Sequence, residues 1–265
     1  METWALAAAA YGAAVAGSVL IRPVDGRTRA AVAAAAVAYA ALAVWAGARE
    51  EAWVHLLAPG AALLVGYWLP ERVFDRPQAA VEARLAAQDA RLFARLDLDR
   101  RLVRAPIVWL EILEATYASD YVLVGGGALL AAAAPGLSAA EYWAVVLPAE
   151  LACYAALPWI RTRPPRAVEG PGVLARRGLV MRRVNEGILG RLSVQVNTIP
   201  SGHVAGAVAS ALALSTLSAW LGAAAGSLAA GIAIAAVLGR YHYAADVVSG
   251  AVVAVLAWLL AGPAV

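Results

Sequence analysis

Apolar segments of roughly 20 residues recur along the chain, and a helix of that length crosses the hydrocarbon core of a bilayer. Short charged turns separate them, 63% of the residues are hydrophobic, and the mean hydropathy is +0.71. Such a chain is too apolar for an ordinary soluble domain. The pattern predicts an all-α fold, a polytopic integral membrane bundle of about eight transmembrane helices. The predicted spans are 3–20, 30–47, 52–69, about 117–134, 140–160, 204–221, 223–238 and 243–261.

Residues 71–104 differ from these spans because arginines and acidic residues alternate there. Apolar residues recur at spacings of four and seven, which predicts one apolar stripe on a helix: Val81, Leu85, Leu92, Leu96 and Val103. We interpret the segment as an amphipathic helix at the membrane interface. A solvated helix that packs on a partner subunit is the alternative. The predicted organisation is therefore accessory helices over 1–70, this helix over 71–104, and a catalytic core over 105–265.

Two of the three histidines lie in the stretch 199–246. His203 ends the sequence Pro-Ser-Gly-His, and His242 precedes Asp246 by four residues. Two apolar segments separate the histidines, so a down-and-up pair of helices brings both to one membrane face. There one imidazole can attack a substrate atom while the other protonates the leaving group. A helix would place Asp246 on the same face as His242, where the carboxylate can orient the imidazole ring. The alternative is that both histidines are interfacial residues hydrogen-bonded to water.

The connection 161–201 carries eight arginines, and a guanidinium bonds two phosphate oxygens at once. Ser201 and Gly202 stand at a helix start, where backbone N–H groups and the helix dipole favour an anion. Glu111 and Glu114 lie in an earlier apolar segment. They either pair with active-site arginines or mark an interfacial start.

The ordered motifs resemble those of the type-2 phosphatidic acid phosphatase superfamily, whose members are membrane lipid phosphatases. Pro-Ser-Gly-His matches the second motif, and His242 with Asp246 matches the end of the third. Arg163-Pro164 matches the end of the first motif, Lys-x6-Arg-Pro, but Ala156 stands at the lysine position. The resemblance covers roughly residues 105–261.

The third motif departs from the common form, which has Ser-Arg six residues before the histidine. Those positions are Ala235 and Ala236 here, and Arg240 stands two residues before His242 instead. Together with Arg163-Pro-Pro-Arg166, this form is more similar to the branch that includes inositol phosphorylceramide and sphingomyelin synthases.

The resemblance implies metal-independent phosphoryl transfer through a phosphohistidine, with no cofactor. His242 would attack phosphorus, Asp246 would orient it, and His203 would protonate the leaving oxygen. The expected phosphate-binding residues are Arg163, Arg166, Ser201, Gly202 and Arg240. We expect hydrolysis of a lipid phosphate or diphosphate. The alternatives are a lipid phosphotransferase that moves a phosphorus-bearing headgroup, and a non-catalytic binder of anionic lipids.

Charge and composition exclude some classes of function. The net charge is only +3 and no basic stripe is interleaved with aromatics, so nucleic-acid binding has no support. No cluster with metal-ligand spacing is present beyond the histidine pair. The single cysteine, Cys153, cannot form an internal disulfide. The expected partners are a membrane lipid phosphate and the bilayer itself.

The arginines also predict an orientation in a bacterial cytoplasmic membrane. With eight spans, every arginine except Arg49 falls on the side that carries the active site. The positive-inside rule places that side in the cytoplasm. Members of the resembled superfamily usually work on the outer face. The arginine distribution therefore predicts a cytoplasm-facing site and an external C-terminus.

Overall fold

The computed structural model describes residues 1–73, 76–170, 172–194, 196 and 199–262. Residues 263–265, the end of the predicted catalytic core, lie outside the described residues. The described chain consists of helices joined by turns: α1 (Thr3–Ile21), α2 (Gly26–Gly47), α3 (Ala52–Trp68), α4 (Ala79–Leu96), α5 (Leu98–Arg104), α6 (Ile107–Ala118), α7 (Asp120–Ala133), α8 (Ala139–Ala155), α9 (Pro165–Val168), α10 (Val180–Leu192), α11 (Gly202–Leu214), α12 (Ala219–Leu238) and α13 (Ala244–Ala261).

The prediction of an all-α fold is confirmed for the described residues. Five helical stretches are long and apolar enough to cross a bilayer, and they are 3–21, 26–47, 52–73, 219–238 and 244–261. The apolar helices α7 and α11 have 14 and 13 residues. At about 1.5 Å per residue, each is shorter than the bilayer core of roughly 30 Å. A count of eight spans stays a prediction.

The centre of the bundle is formed by α8 and α11. Helix α8 packs against α1, α3, α7, α11 and α13, and most of its side chains are buried. Helix α11 is buried between α7, α8, α12 and α13. The N-terminal helices join the same hydrophobic core, because α1 and α3 both pack on α8. The helices packed around α8 and α11 therefore surround the centre of the bundle, and His203 lies at the start of α11.

Two predicted segments end where polar residues cap helices. The predicted span 204–221 ends at Leu214, because Ser218 caps α12 by accepting a hydrogen bond from the Leu221 amide at 3.2 Å. The apolar run from Pro106 is divided at Ser119, whose hydroxyl donates to the Thr116 carbonyl at 2.6 Å. These side-chain bonds compete with helix continuation.

The predicted continuous helix over 71–104 is corrected to two helices after a short 3₁₀ turn, Glu71–Val73. Asp97 separates them with φ +49°, a left-handed conformation that ends α4. Phe74 and Asp75 lie outside the described residues. The predicted apolar stripe is only partly buried, since Leu96 and Val103 are exposed. The buried side chains of α4 are Leu85, which belongs to that stripe, and the acidic Glu82 and Asp89.

Candidate active site

His203 and His242 meet at one end of the bundle. His203 lies in the first turn of α11, and His242 lies in the turn between α12 and α13. Their ring centroids are 6.0 Å apart. The antiparallel α11 and α12 produce this arrangement, since the chain leaves along one helix and returns along the other. A phosphorus atom between the rings can be reached by both.

Asp246 faces one nitrogen of His242. Its Oδ2 lies 3.6 Å from His242 Nδ1, an ion-pair distance, and accepts a hydrogen bond from the Tyr243 amide at 2.9 Å. Asp246 is fully buried and His242 is nearly so. The carboxylate is therefore held rigidly in the first turn of α13 and faces Nδ1. The other ring nitrogen, Nε2, is left for chemistry.

Ser201 and Gly202 join the start of α11 to its neighbours. The Ser201 hydroxyl accepts from the Val204 amide at 3.4 Å, and the Ser201 amide donates to the Asp246 carbonyl at 2.9 Å. Gly202 lies against the Tyr154 ring, where an added Cβ would come within 2.7 Å of a ring carbon. Both residues are buried. The structure gives them packing and capping contacts, and their binding of phosphate stays a prediction.

Gly250 of α13 allows the close approach of the Ser201 backbone, and its replacement by alanine tests that contact. A Cβ at Gly250 would lie 2.5 Å from the Ser201 carbonyl oxygen, so α11 must shift relative to α13. A displacement of this kind moves His203 from His242, and we expect kcat/KM to fall about 100-fold. Gly226→Ala on α12 is the control, because nothing lies within 4 Å of that Cβ. Equal activity of the two variants would contradict this role of Gly250.

A small cavity of about 40 Å³ lies between the histidines and the loops. Its charged and titratable lining includes Arg166, His203 and His242, and four tyrosines also line it: Tyr67, Tyr117, Tyr154 and Tyr241. The Arg166 amide donates to the Arg240 carbonyl at 3.1 Å, and its guanidinium donates to the Tyr241 carbonyl at 3.4 Å. Burial lowers the pKa of Arg166 from its ordinary value. An arginine remains cationic nevertheless, so this cavity holds a positive charge.

Arg163 and Arg240 are engaged by carboxylates. Glu82 accepts from the Arg163 amide at 2.7 Å and from its guanidinium at 2.8 and 3.1 Å. These bonds hold the pKa of Glu82 below its usual range. Arg240 donates to Asp89 and to Glu169, each at 2.6 Å. The structure thus brings Arg166 to the histidine cavity, and a phosphate-binding role for Arg163 and Arg240 stays a prediction.

A buried polar network below the His242 turn was not assigned from the sequence. Arg182 donates to Glu114 at 3.2 Å and to the Gly239 carbonyl at 2.6 Å. Asn185 also donates to Glu114, at 2.8 Å, and so does the Tyr241 hydroxyl. The network holds the Gly239 carbonyl before Arg240 and the Tyr241 side chain after it. In the sequence, this network is indicated only by Glu114, an acidic residue in an apolar segment. Pairing of Glu114 with an arginine was one of the two interpretations of that position.

Tyrosines surround His203. The Tyr117 ring stacks on His203 at 5.3 Å and on Tyr241 at 3.9 Å between centroids. The Tyr121 hydroxyl lies 3.4 Å from His203 Nε2. No pattern in the sequence distinguishes these tyrosines, because isolated tyrosines are common at helix ends in membranes. The stack fixes the plane of the His203 ring.

Residues 144–263 match the sequence model of the PAP2 superfamily. This PAP2-like segment begins within α8 and contains His203, His242 and Asp246, together with the loop that carries Arg163 and Arg166. Helices α1 to α7 precede it. No curated protein and no solved structure matched the chain. The match supports a phosphatase or a related phosphotransferase, and the apolar helices support an integral membrane protein.

Proposed function

We propose that the chain is an integral membrane lipid phosphatase, a phosphoric monoester hydrolase that acts on a lipid phosphate or diphosphate. The observation that carries this proposal is the 6.0 Å pair of His203 and His242 rings, beside Asp246 and Arg166, within a PAP2-like segment. The pair supplies a nucleophile and a proton donor at one point, and Arg166 supplies the positive charge that a phosphate requires.

In the first step, His242 Nε2 attacks phosphorus and the bond from phosphorus to the leaving oxygen breaks. His203, protonated at the start, gives its proton to that oxygen, which leaves as the lipid alcohol when the substrate is a monophosphate and as the lipid phosphate when it is a diphosphate. Asp246 stabilises the positive charge that develops on the His242 ring. The result is a phosphohistidine at His242 and a neutral His203.

In the second step, water attacks phosphorus as His203 accepts a proton from it. The N–P bond breaks, inorganic phosphate is released, and both histidines return to their starting states. Arg166 stabilises the charge on the phosphoryl oxygens in both steps, because its cation lies in the cavity throughout. We propose the same role for Arg163 once Glu82 releases it, and for Arg240 once Glu169 releases its Nη2 while Nη1 stays bonded to Asp89.

Headgroup transfer is the second candidate, favoured by the sequence Arg240-Tyr-His-Tyr together with Arg163-Pro-Pro-Arg166. In that reaction a lipid alcohol replaces water in the second step. The two proposals share every residue named above, so only the acceptor distinguishes them.

Purified protein in detergent micelles with phosphatidic acid and lipid diphosphates tests the proposal. Release of inorganic phosphate supports hydrolysis. If labelled headgroup moves between lipids and no phosphate is released, the protein is a transferase. If neither reaction occurs across the panel, a non-catalytic binder of anionic lipids replaces both proposals.

The orientation of the site in the membrane is tested by cysteine labelling in intact cells. Cys153 is buried and is first changed to alanine, and a single cysteine replaces Ala175, an exposed residue between Leu174 and Arg177. The arginine distribution predicts no labelling by a membrane-impermeant maleimide until the cells are lysed. Labelling before lysis would show that the site faces outward.

A further inference from the structure

Helix α4 contacts the active-site loops through a polar stripe. Gln78, Glu82 and Asp89 are spaced by four and seven residues, so they lie on one side of the helix. Gln78 and Glu82 bond the chain from Trp159 to Arg163, and Asp89 bonds the turn that carries His242. An amphipathic helix would be expected to bury its apolar stripe. Of that stripe this helix buries Leu85, and it also buries two carboxylates, each with an arginine partner.

Asp89 bonds the His242 turn on both sides of the histidine. Its Oδ2 accepts from the Arg240 guanidinium at 2.6 Å, two residues before His242. Its Oδ1 accepts from the Ala244 amide at 3.0 Å, two residues after it. The side chain is 1% exposed. Both carboxylate oxygens are therefore used, and His242 lies between the two points of attachment.

The backbone of this turn explains why it needs support. Arg240 has φ +61°, in the left-handed region that L-residues other than asparagine and aspartate seldom adopt. Such a conformation persists only when its surroundings determine it. Helix α4 provides two of those contacts, because Asp89 bonds the Arg240 guanidinium and the Phe93 ring lies 4.7 Å from it.

We propose that Asp89 is a positioning residue for the nucleophile. By joining Arg240 to Ala244, it fixes the turn in which His242 faces His203, and this inference rests on the proposed function. Asp89 lies outside the PAP2-like segment 144–263. Helix α4 therefore completes the catalytic unit, and the matched segment alone lacks one of the supports of its nucleophile.

Two substitutions separate the effect of the Asp89 charge on Arg240 from the effect of its hydrogen bond to the Ala244 amide. Asp89→Asn keeps an acceptor for the Ala244 amide but loses the charge beside Arg240, whereas Asp89→Ala loses both. We expect Asp89→Ala to lower kcat about 100-fold and Asp89→Asn to lower it about tenfold, each with KM changed by less than about threefold. Asp97→Asn is the matched control, since Asp97 is an exposed acidic residue just after α4 that pairs with Arg100 at 3.7 Å. It should retain the wild-type kcat.

A role limited to stability gives a different result. Asp89→Ala would then unfold at a lower temperature yet keep a kcat within about twofold of wild type when assayed well below that temperature. That outcome would overturn the proposal.

Amide hydrogen exchange tests the attachment without any substrate. The peptide that spans residues 240–246 should exchange faster in Asp89→Ala than in wild type or Asp97→Asn, because the Ala244 amide loses its acceptor. Unchanged exchange would overturn the attachment, whatever the enzyme assays show. Faster exchange in a protein that turns over no lipid phosphate would uphold the attachment and contradict the proposed function alone.

Discussion

His242→Ala is expected to abolish turnover, with a loss of at least about 10³-fold in kcat, because the proposed mechanism uses His242, beside Asp246, as the nucleophile. A loss of that size corresponds to about 4 kcal/mol of activation free energy. Phosphate release from a lipid phosphate by the purified variant measures it. The variant should insert and purify normally, and the wild type should remain active in EDTA. Strict dependence on an added divalent ion would contradict the mechanism.

His55→Ala is the matched control for that loss. His55 lies in the first turn of α3, and its Nε2 contacts the Arg49 carbonyl at 2.8 Å. Tyr67, which lines the histidine cavity, lies 12 residues further along α3. That separation is about 18 Å along a helix. We expect His55→Ala to retain wild-type activity. A similar loss in both variants would mean that the effect of His242→Ala is not specific to the cavity.

Arg166→Lys is expected to lower kcat/KM about 100-fold, close to 2.7 kcal/mol of transition-state stabilisation. Arg166 is the arginine in the cavity with both histidines, and lysine keeps the charge while losing the planar fork that bonds two phosphate oxygens. Initial rates over a range of lipid phosphate concentrations measure the change.

Arg183→Lys serves as the control for Arg166, because Arg183 is an exposed residue of α10. Its activity should equal that of the wild type. If Arg166→Lys is nearly as active as wild type, phosphate must bind elsewhere. Arg163 and Arg240 would then be the candidates, freed from Glu82 and Glu169 when substrate enters.

The sequence was sufficient for the class of fold and for the pairing of the histidines. Apolar segment lengths predict helices, and two such segments between His203 and His242 necessarily return the chain to the same end. The spacing of His242 and Asp246 predicted a shared helical face, but His242 lies in the turn before α13, and the 3.6 Å approach of the two side chains joins that turn to the first turn of the helix. The length of an apolar segment is a local pattern, and it was enough to predict helices and the return of the chain.

The sequence was insufficient where partners lie far apart along the chain. Arg240 pairs with Asp89, 151 positions away, and Arg163 pairs with Glu82, 81 positions away. In an amphipathic segment, buried carboxylates look the same as solvated ones, so Glu82 and Asp89 could not be chosen from their neighbours. The break of the segment at Asp97 was missed for a similar reason, since a left-handed residue leaves no periodic signal when it is not glycine.

Trapping of the phosphoenzyme tests whether His242 is the nucleophile. The protein is mixed with lipid phosphate labelled with ³²P at phosphorus and quenched in alkali within the first turnover, and the labelled peptide is identified by mass spectrometry. We expect a base-stable, acid-labile phosphoryl group on His242, in the peptide that contains Arg240 and Asp246. A phosphoryl group on His203, or turnover with no labelled protein at any quench time, would contradict it.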